Sequence, residues 1–86
     1  MEIEYGSIVF SKAGRDRGRP MVAVGTSGGY LLLCDGKERR LSKPKLKNPK
    51  HIAATKEVIS GNSMATDRGL RKALLGFEER NKTKEG

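Results

Sequence analysis

The chain has few of the residues that build reactive or cross-linked sites. Its single cysteine, Cys34, excludes an internal disulfide and a thiolate metal site. One histidine, no carboxylate pair at an informative spacing and no Gly-x-x-x-x-Gly-Lys-Ser/Thr loop leave catalysis without support, so no enzyme, no metal and no cofactor is expected. The longest apolar run, Tyr30–Cys34, is far short of the roughly 18 residues of a membrane span. The start, Met1-Glu2-Ile3-Glu4, is acidic and lacks the apolar stretch of a secretory signal, so a cytoplasmic location is expected. There is no Trp, and there are only two Tyr and two Phe. With so few aromatics each is expected in the core, although Tyr5 and Tyr30 could offer stacking faces. Cys34, inside an apolar run, is expected to be an inert core residue.

Acidic residues are scarce in one segment above all. The net charge is +8. Residues 1–36 sum to zero and residues 57–86 to +1. Residues 37–56 carry eight basic side chains against one acid, Glu38, for +7. A patch of that density is the footprint of a nucleic-acid binder, although lysines also keep small domains soluble.

Against that background stands the run Gly14-Arg15-Asp16-Arg17-Gly18-Arg19, lying between Ser7-Ile8-Val9-Phe10 and Met21-Val22-Ala23-Val24. The flanking stretches are rich in β-branched residues and predict two strands joined by a basic loop. Glycine lets another backbone approach closely, and arginine's planar fork bonds phosphate in pairs. Lys12, Arg15, Arg17 and Arg19 are therefore candidate phosphate contacts, and Gly14 and Gly18 supply the turn. Asp16 is expected to organise the loop, since its charge repels phosphate. The bland alternative is a tight strand connection with solvated charges.

Further along, residues 30–34 predict a buried third strand, and Asp35-Gly36 a hairpin turn. Residues 37–42 read as a basic fourth strand around Leu41. Pro44 and Pro49 mark residues 43–50 as extended loop with exposed lysines, and residues 51–59 as a fifth strand. The period then changes. Leu70, Ala73, Leu74 and Phe77 fall at i, i+3, i+4 and i+7, the stripe of an amphipathic helix. Thr66-Asp67 or Asn62-Ser63 offers its N-cap. Leu75 lies about 140° round the helix from Leu70, outside the apolar stripe; it reads as an exposed anchor for a protein partner or a minor packing residue, and packing is the expectation. The expected architecture is mainly β, a small five-stranded, partly open barrel over residues 1–59. A C-terminal α-helix and polar tail over 60–86 pack on or beside it.

The residues from Gly6 through Val24 resemble the KOW motif. That motif is a Gly, basic, Asp, basic, Gly, basic core between two strands of an SH3-like barrel, found in several ribosomal proteins and in NusG-type transcription factors. Asp35-Gly36-Lys37, Arg39, Pro44-Lys45-Leu46-Lys47-Asn48 and Lys50-His51 are similar to the pattern of small bacterial KOW-domain RNA-binding proteins. Those in turn are similar to a KOW-containing large-subunit ribosomal protein of archaea and eukaryotes. Pro20-Met21 departs from the pattern, where many KOW sequences have further basic or glycine residues. The resemblance implies a non-catalytic RNA-binding module, ribosome-associated and acting in translation. Its contacts are Lys12, Gly14, Arg15, Arg17, Gly18, Arg19, Lys37, Arg39, Arg40, Lys43, Lys45, Lys47, Lys50 and His51. Ribosomal RNA is the expected partner, with ribosomal proteins as neighbours, and no small-molecule substrate. A protein-interaction module with an acidic partner is the main rival. DNA binding ranks lower, because no helix rich in Arg, Asn or Gln is available to read a major groove.

Overall fold

The computed structural model describes residues 3–14 and 17–83, with side chains through Asn81. Strands β1 (Ser7–Ser11), β2 (Pro20–Ser27) and β3 (Tyr30–Cys34) form where the apolar stretches predict them. They are joined by β4 (Lys45–Lys47) and β5 (Ile52–Val58) into one antiparallel sheet of order β4-β3-β2-β1-β5. A short helix α1 (Gly61–Met64) leads into the long α2 (Asp67–Thr83). Among the described residues the two edge strands do not pair with each other, so the sheet is open.

Strand alternation sorts the apolar residues onto two faces. Ile8, Val22 and Cys34 stand opposite one another across three strands, and this face receives Leu70, Leu74 and Phe77 of α2. Phe10 meets Phe77 at 5.9 Å between ring centroids with the planes tilted by 51°. Burying those three helix side chains is worth roughly 1.5–3 kcal/mol each, an upper estimate that explains why a helix containing Gly69 and Gly76 persists. On the other face Val9, Met21, Ala23, Leu31, Leu33 and Ile52 make a second buried cluster. A register shift between Ala23 and Gly25 bends β2 and sharpens the twist of the sheet.

Thr66 caps α2, its hydroxyl accepting the Gly69 N–H at 2.9 Å, and Ser60 caps α1. Asp67 does more than favour the helix dipole: its Oδ1 accepts the Leu41 N–H at 2.7 Å. That bond is one reason the predicted fourth strand over residues 37–42 does not form. The Asp35 Oδ1 takes the N–H groups of Lys37 and Arg39 at 2.8 and 2.9 Å. The Arg39 carbonyl in turn accepts from Asp35 and Gly36. Donors that a strand would offer to β3 are thus spent locally and on α2. The turn at Asp35-Gly36 closes on itself instead of starting a hairpin. The partner of β3 comes later, at Lys45–Lys47, between the two prolines, where a three-residue edge strand needs neither proline inside it.

Gly36 is where the helix comes closest to this connection. Its φ is +78°, and a Cβ there would sit on the Asp67 backbone carbonyl. Arg71 Nη1 donates to the Gly36 carbonyl at 2.6 Å, so the first turns of α2 are fastened to residues 35–41 from both sides.

Two expectations about side chains are corrected. Tyr5 and Tyr30 are not core residues; they are 66% and 47% exposed. Tyr5 precedes β1 in a turn and Tyr30 opens β3 opposite Ser27, while aliphatics and the Phe pair fill the core on the α2 face. Leu75 is not a packing residue either, at 57% exposed. Cys34, by contrast, is fully buried as expected. Burial first, and then the carboxylates of Asp67 and Asp35, push its thiol up to about 11. Its Sγ donates to the Arg40 carbonyl at 3.4 Å. Among the described residues no helix is long and apolar enough to cross a membrane.

Candidate nucleic-acid interface

The basic loop is tied down at its base by its own backbone. Gly18 N–H donates to the Ser11 carbonyl at 3.1 Å and Arg17 N–H to the Gly14 carbonyl at 3.3 Å. Gly14 and Gly18 both have φ of +82°, the left-handed conformation that their position in the motif predicts. The buried Ser11 hydroxyl donates to the Ala13 carbonyl at 2.7 Å. Arg15 and Asp16 lie outside the described residues.

Residues far along the chain then close on the loop. Lys45 and Lys47 pair with Leu33 and Leu31 across β3–β4, which puts them on the same sheet face as those two buried leucines. Both are half-buried, so their stems cover apolar surface while their charged ends project from it. Lys47 Nζ donates to the Ala13 carbonyl at 3.0 Å and lies 3.3 Å from where a Gly14 Cβ would be. The bare glycine backbone makes room for an ammonium group. The Lys12 N–H donates to the His51 carbonyl at 2.7 Å, which brings in the short 3₁₀ turn Pro49–His51. That turn is capped by Asn48, whose side chain accepts the Lys50 N–H at 2.9 Å. On the other flank Arg19 makes a forked pair with Glu38, at 3.1 and 3.5 Å. Both partners are well exposed, so the pair is worth little energy; it marks where residues 37–38 lie beside the loop.

The structure therefore brings together Lys12, Gly14, Arg17, Gly18, Arg19, Lys37, Lys47, Lys50 and His51. Lys12, Arg17, Lys37, Lys50 and His51 are exposed. Arg39, Arg40 and Lys43 are placed differently. They belong to the connection whose bonds run to α2, and the Lys43 N–H closes a turn onto the Arg40 carbonyl. The expectation that residues 43–50 form a loop with freely exposed lysines is corrected for Lys45 and Lys47, which sit in a strand. Sequence reasoning missed Arg71, and it singled out Leu75 without placing it beside the loop. Both line an open cleft of about 370 Å³ beside Gly18, Arg19 and Lys37. The one signal available was Leu75's position outside the apolar stripe.

Chemically, the surface offers ammonium and guanidinium donors with an exposed glycine-bearing loop between them. This suits a polyanion held through its backbone. Among the described residues no three His, Cys, Asp or Glu side chains are grouped to hold a metal ion. No known family's sequence profile matches the chain, and no curated protein is significantly similar to it.

Proposed function

We propose that this chain is a non-catalytic RNA-binding module, an SH3-like barrel of the KOW type, that grips ribosomal or other structured RNA in the cytoplasm. One observation carries the reading. The loop at residues 12–19 and the cationic segment from Lys37 to His51, separated in sequence, are laced together by Lys47 to Ala13, Lys12 to His51 and Arg19 to Glu38. Folded RNA is recognised largely through its shape and backbone, and point charges beside a bare loop are suited to that. Arg15 joins this set by its place in the motif, and Arg39, Arg40 and Lys43 extend it toward α2.

The test is a fluorescence-anisotropy titration with a structured RNA at several salt concentrations. If about six phosphates are neutralised, log affinity against log salt falls with a slope of roughly −4. A slope near zero defeats the proposal.

A second reading, a protein-interaction module of the translation or transcription machinery, has one observation in its favour. Tyr30, Leu32 and Leu46 share a sheet face at the β3–β4 edge, Leu32 pairs with Leu46, and Tyr30 and Leu46 are both about half exposed. Co-sedimentation with ribosomes that survives thorough RNase treatment favours this reading over the first.

A further inference from the structure

The cleft beside Arg19 does not end at the helix. A second open cleft, of about 350 Å³, shares Gly18, Pro20, Leu75 and Glu78 with the first. The two form one trough along the flank of α2, with Pro20 and Leu75 as an apolar saddle. Each half is at the size of a small-ligand pocket.

The halves differ in charge. The first is bordered by Arg19, Lys37 and Arg71, with Arg19 paired to Glu38 and the shared Glu78 at the seam between the halves; its Asp35 carboxylate is occupied by the backbone donors of Lys37 and Arg39. Arg71 is steadied by its bond to the Gly36 carbonyl, which orients the guanidinium without neutralising it. Among the described residues no cation lines the second half. Its walls are the Phe10 and Phe77 side chains and the acceptors Glu78 and Glu79. A phosphate is favoured in the first half, where three cations face Asp35 and the shared Glu78, over the second, where the described charged residues are Glu78 and Glu79. An unpaired base finds the reverse: apolar contact and carboxylates that accept N–H groups. Leu75, at 57% exposure on an otherwise polar flank, has a use here that packing does not give it.

We propose that this trough holds one unstacked nucleotide of a bound RNA, its phosphate against Arg19, Lys37 and Arg71 and its base over Pro20 and Leu75 within reach of Glu78. A carboxylate rewards bases with an exocyclic amino group, so cytosine, adenine or guanine is preferred over uracil. Unpaired bases in bulges and loops are where RNA sequence is ordinarily read. The proposal rests on the RNA-binding reading above and adds a site and a base preference to it.

The experiment compares three fluorescein-labelled hairpins at one salt concentration: fully paired, with a single bulged cytidine, and with a single bulged uridine. The wild-type chain binds the cytidine bulge about five- to tenfold tighter than the paired hairpin, and the uridine bulge less tightly than the cytidine one. Leu75→Ser, a change at an exposed position with little effect on folding, removes that advantage and leaves paired-hairpin binding unchanged. Equal wild-type affinity for all three hairpins overturns the nucleotide site while RNA binding stands. So does a Leu75→Ser loss that is equal for paired and bulged RNA. No measurable binding to any hairpin overturns both readings.

Discussion

Two glycines of nearly equal backbone geometry allow the docking of α2 to be measured. Gly18 has φ +82° and Gly36 φ +78°. Replacing either by alanine forces a left-handed conformation costing about 1–2 kcal/mol, partly offset by about 0.4–1 kcal/mol from a less flexible unfolded chain. These two terms cancel between the variants. Around Gly18 an added Cβ meets nothing within 4 Å, whereas at Gly36 it lands on the Asp67 carbonyl. Relief requires the first turn of α2 to move, which breaks the Leu41–Asp67 and Arg71–Gly36 bonds. Each of those is worth about 1 kcal/mol, and partial exposure of Leu70 adds about 1 kcal/mol more. Gly36→Ala is therefore expected to be about 2–3 kcal/mol less stable than Gly18→Ala in urea unfolding followed by circular dichroism. Its Tm should be lower by about 10 °C or more. Equal stabilities within about 0.5 kcal/mol would show that the helix does not press on residue 36, and the docking account would fall.

Three further outcomes follow from the same contacts. The folded-state pKa of Cys34 is raised, so the unfolded chain loses its thiol proton first, and stability falls as pH rises from 9.0 to about 11. Wild-type protein should lose about 2–3 kcal/mol more than Cys34→Ala across that window, and equal slopes in urea melts refute the burial. Lys47→Met keeps the apolar stem but removes the bond to Ala13, and should lower stability by about 1 kcal/mol in a thermal melt. Lys12→Met should leave stability within about 0.5 kcal/mol and flatten the RNA salt slope by roughly 0.7, checked by anisotropy.

What was legible in the sequence depended on the range of the interaction. Strands at Ile8-Val9-Phe10, Met21-Val22-Ala23-Val24 and Tyr30–Cys34 declare themselves by apolar runs between turns, and the stripe Leu70, Leu74, Phe77 declares the helix that covers them. The turn role of glycines 14 and 18 was equally readable, because glycine in a short run between two strands supplies backbone torsions that a Cβ forbids, and both have φ of +82°. The fourth strand was misplaced because Asp35 and Asp67, one local and one 26 residues from Leu41, withdraw the donors that residues 37–42 would have used. No periodicity records such a bond. For the same reason the cleft lined by Arg71 and Leu75 was invisible. It exists because Gly36 admits the Asp67 carbonyl, and a sequence does not say which glycine a distant helix will lean on.

The way the cations are held bears on what the surface can do. Lys47 and Arg71 are fixed by backbone carbonyls, those of Ala13 and Gly36. A carbonyl orients an ammonium or guanidinium group as a carboxylate does, but it brings no opposite charge, so the field of the site is preserved. The forked pair of Arg19 with Glu38 is the other solution, and there half the electrostatic value is spent on position. A phosphate approaching the loop thus meets two pre-oriented, unneutralised cations and one that must exchange its partner. That exchange is cheap for an exposed pair, since water and salt already screen it. Glu38→Gln, which keeps a hydrogen-bond acceptor and removes the competing charge, is therefore expected to tighten RNA binding by about two- to fivefold at low salt, with the gain shrinking as salt rises. A loss of affinity on that substitution, measured by anisotropy, would mean that Glu38 positions Arg19 in the complex instead of competing with the phosphate for it.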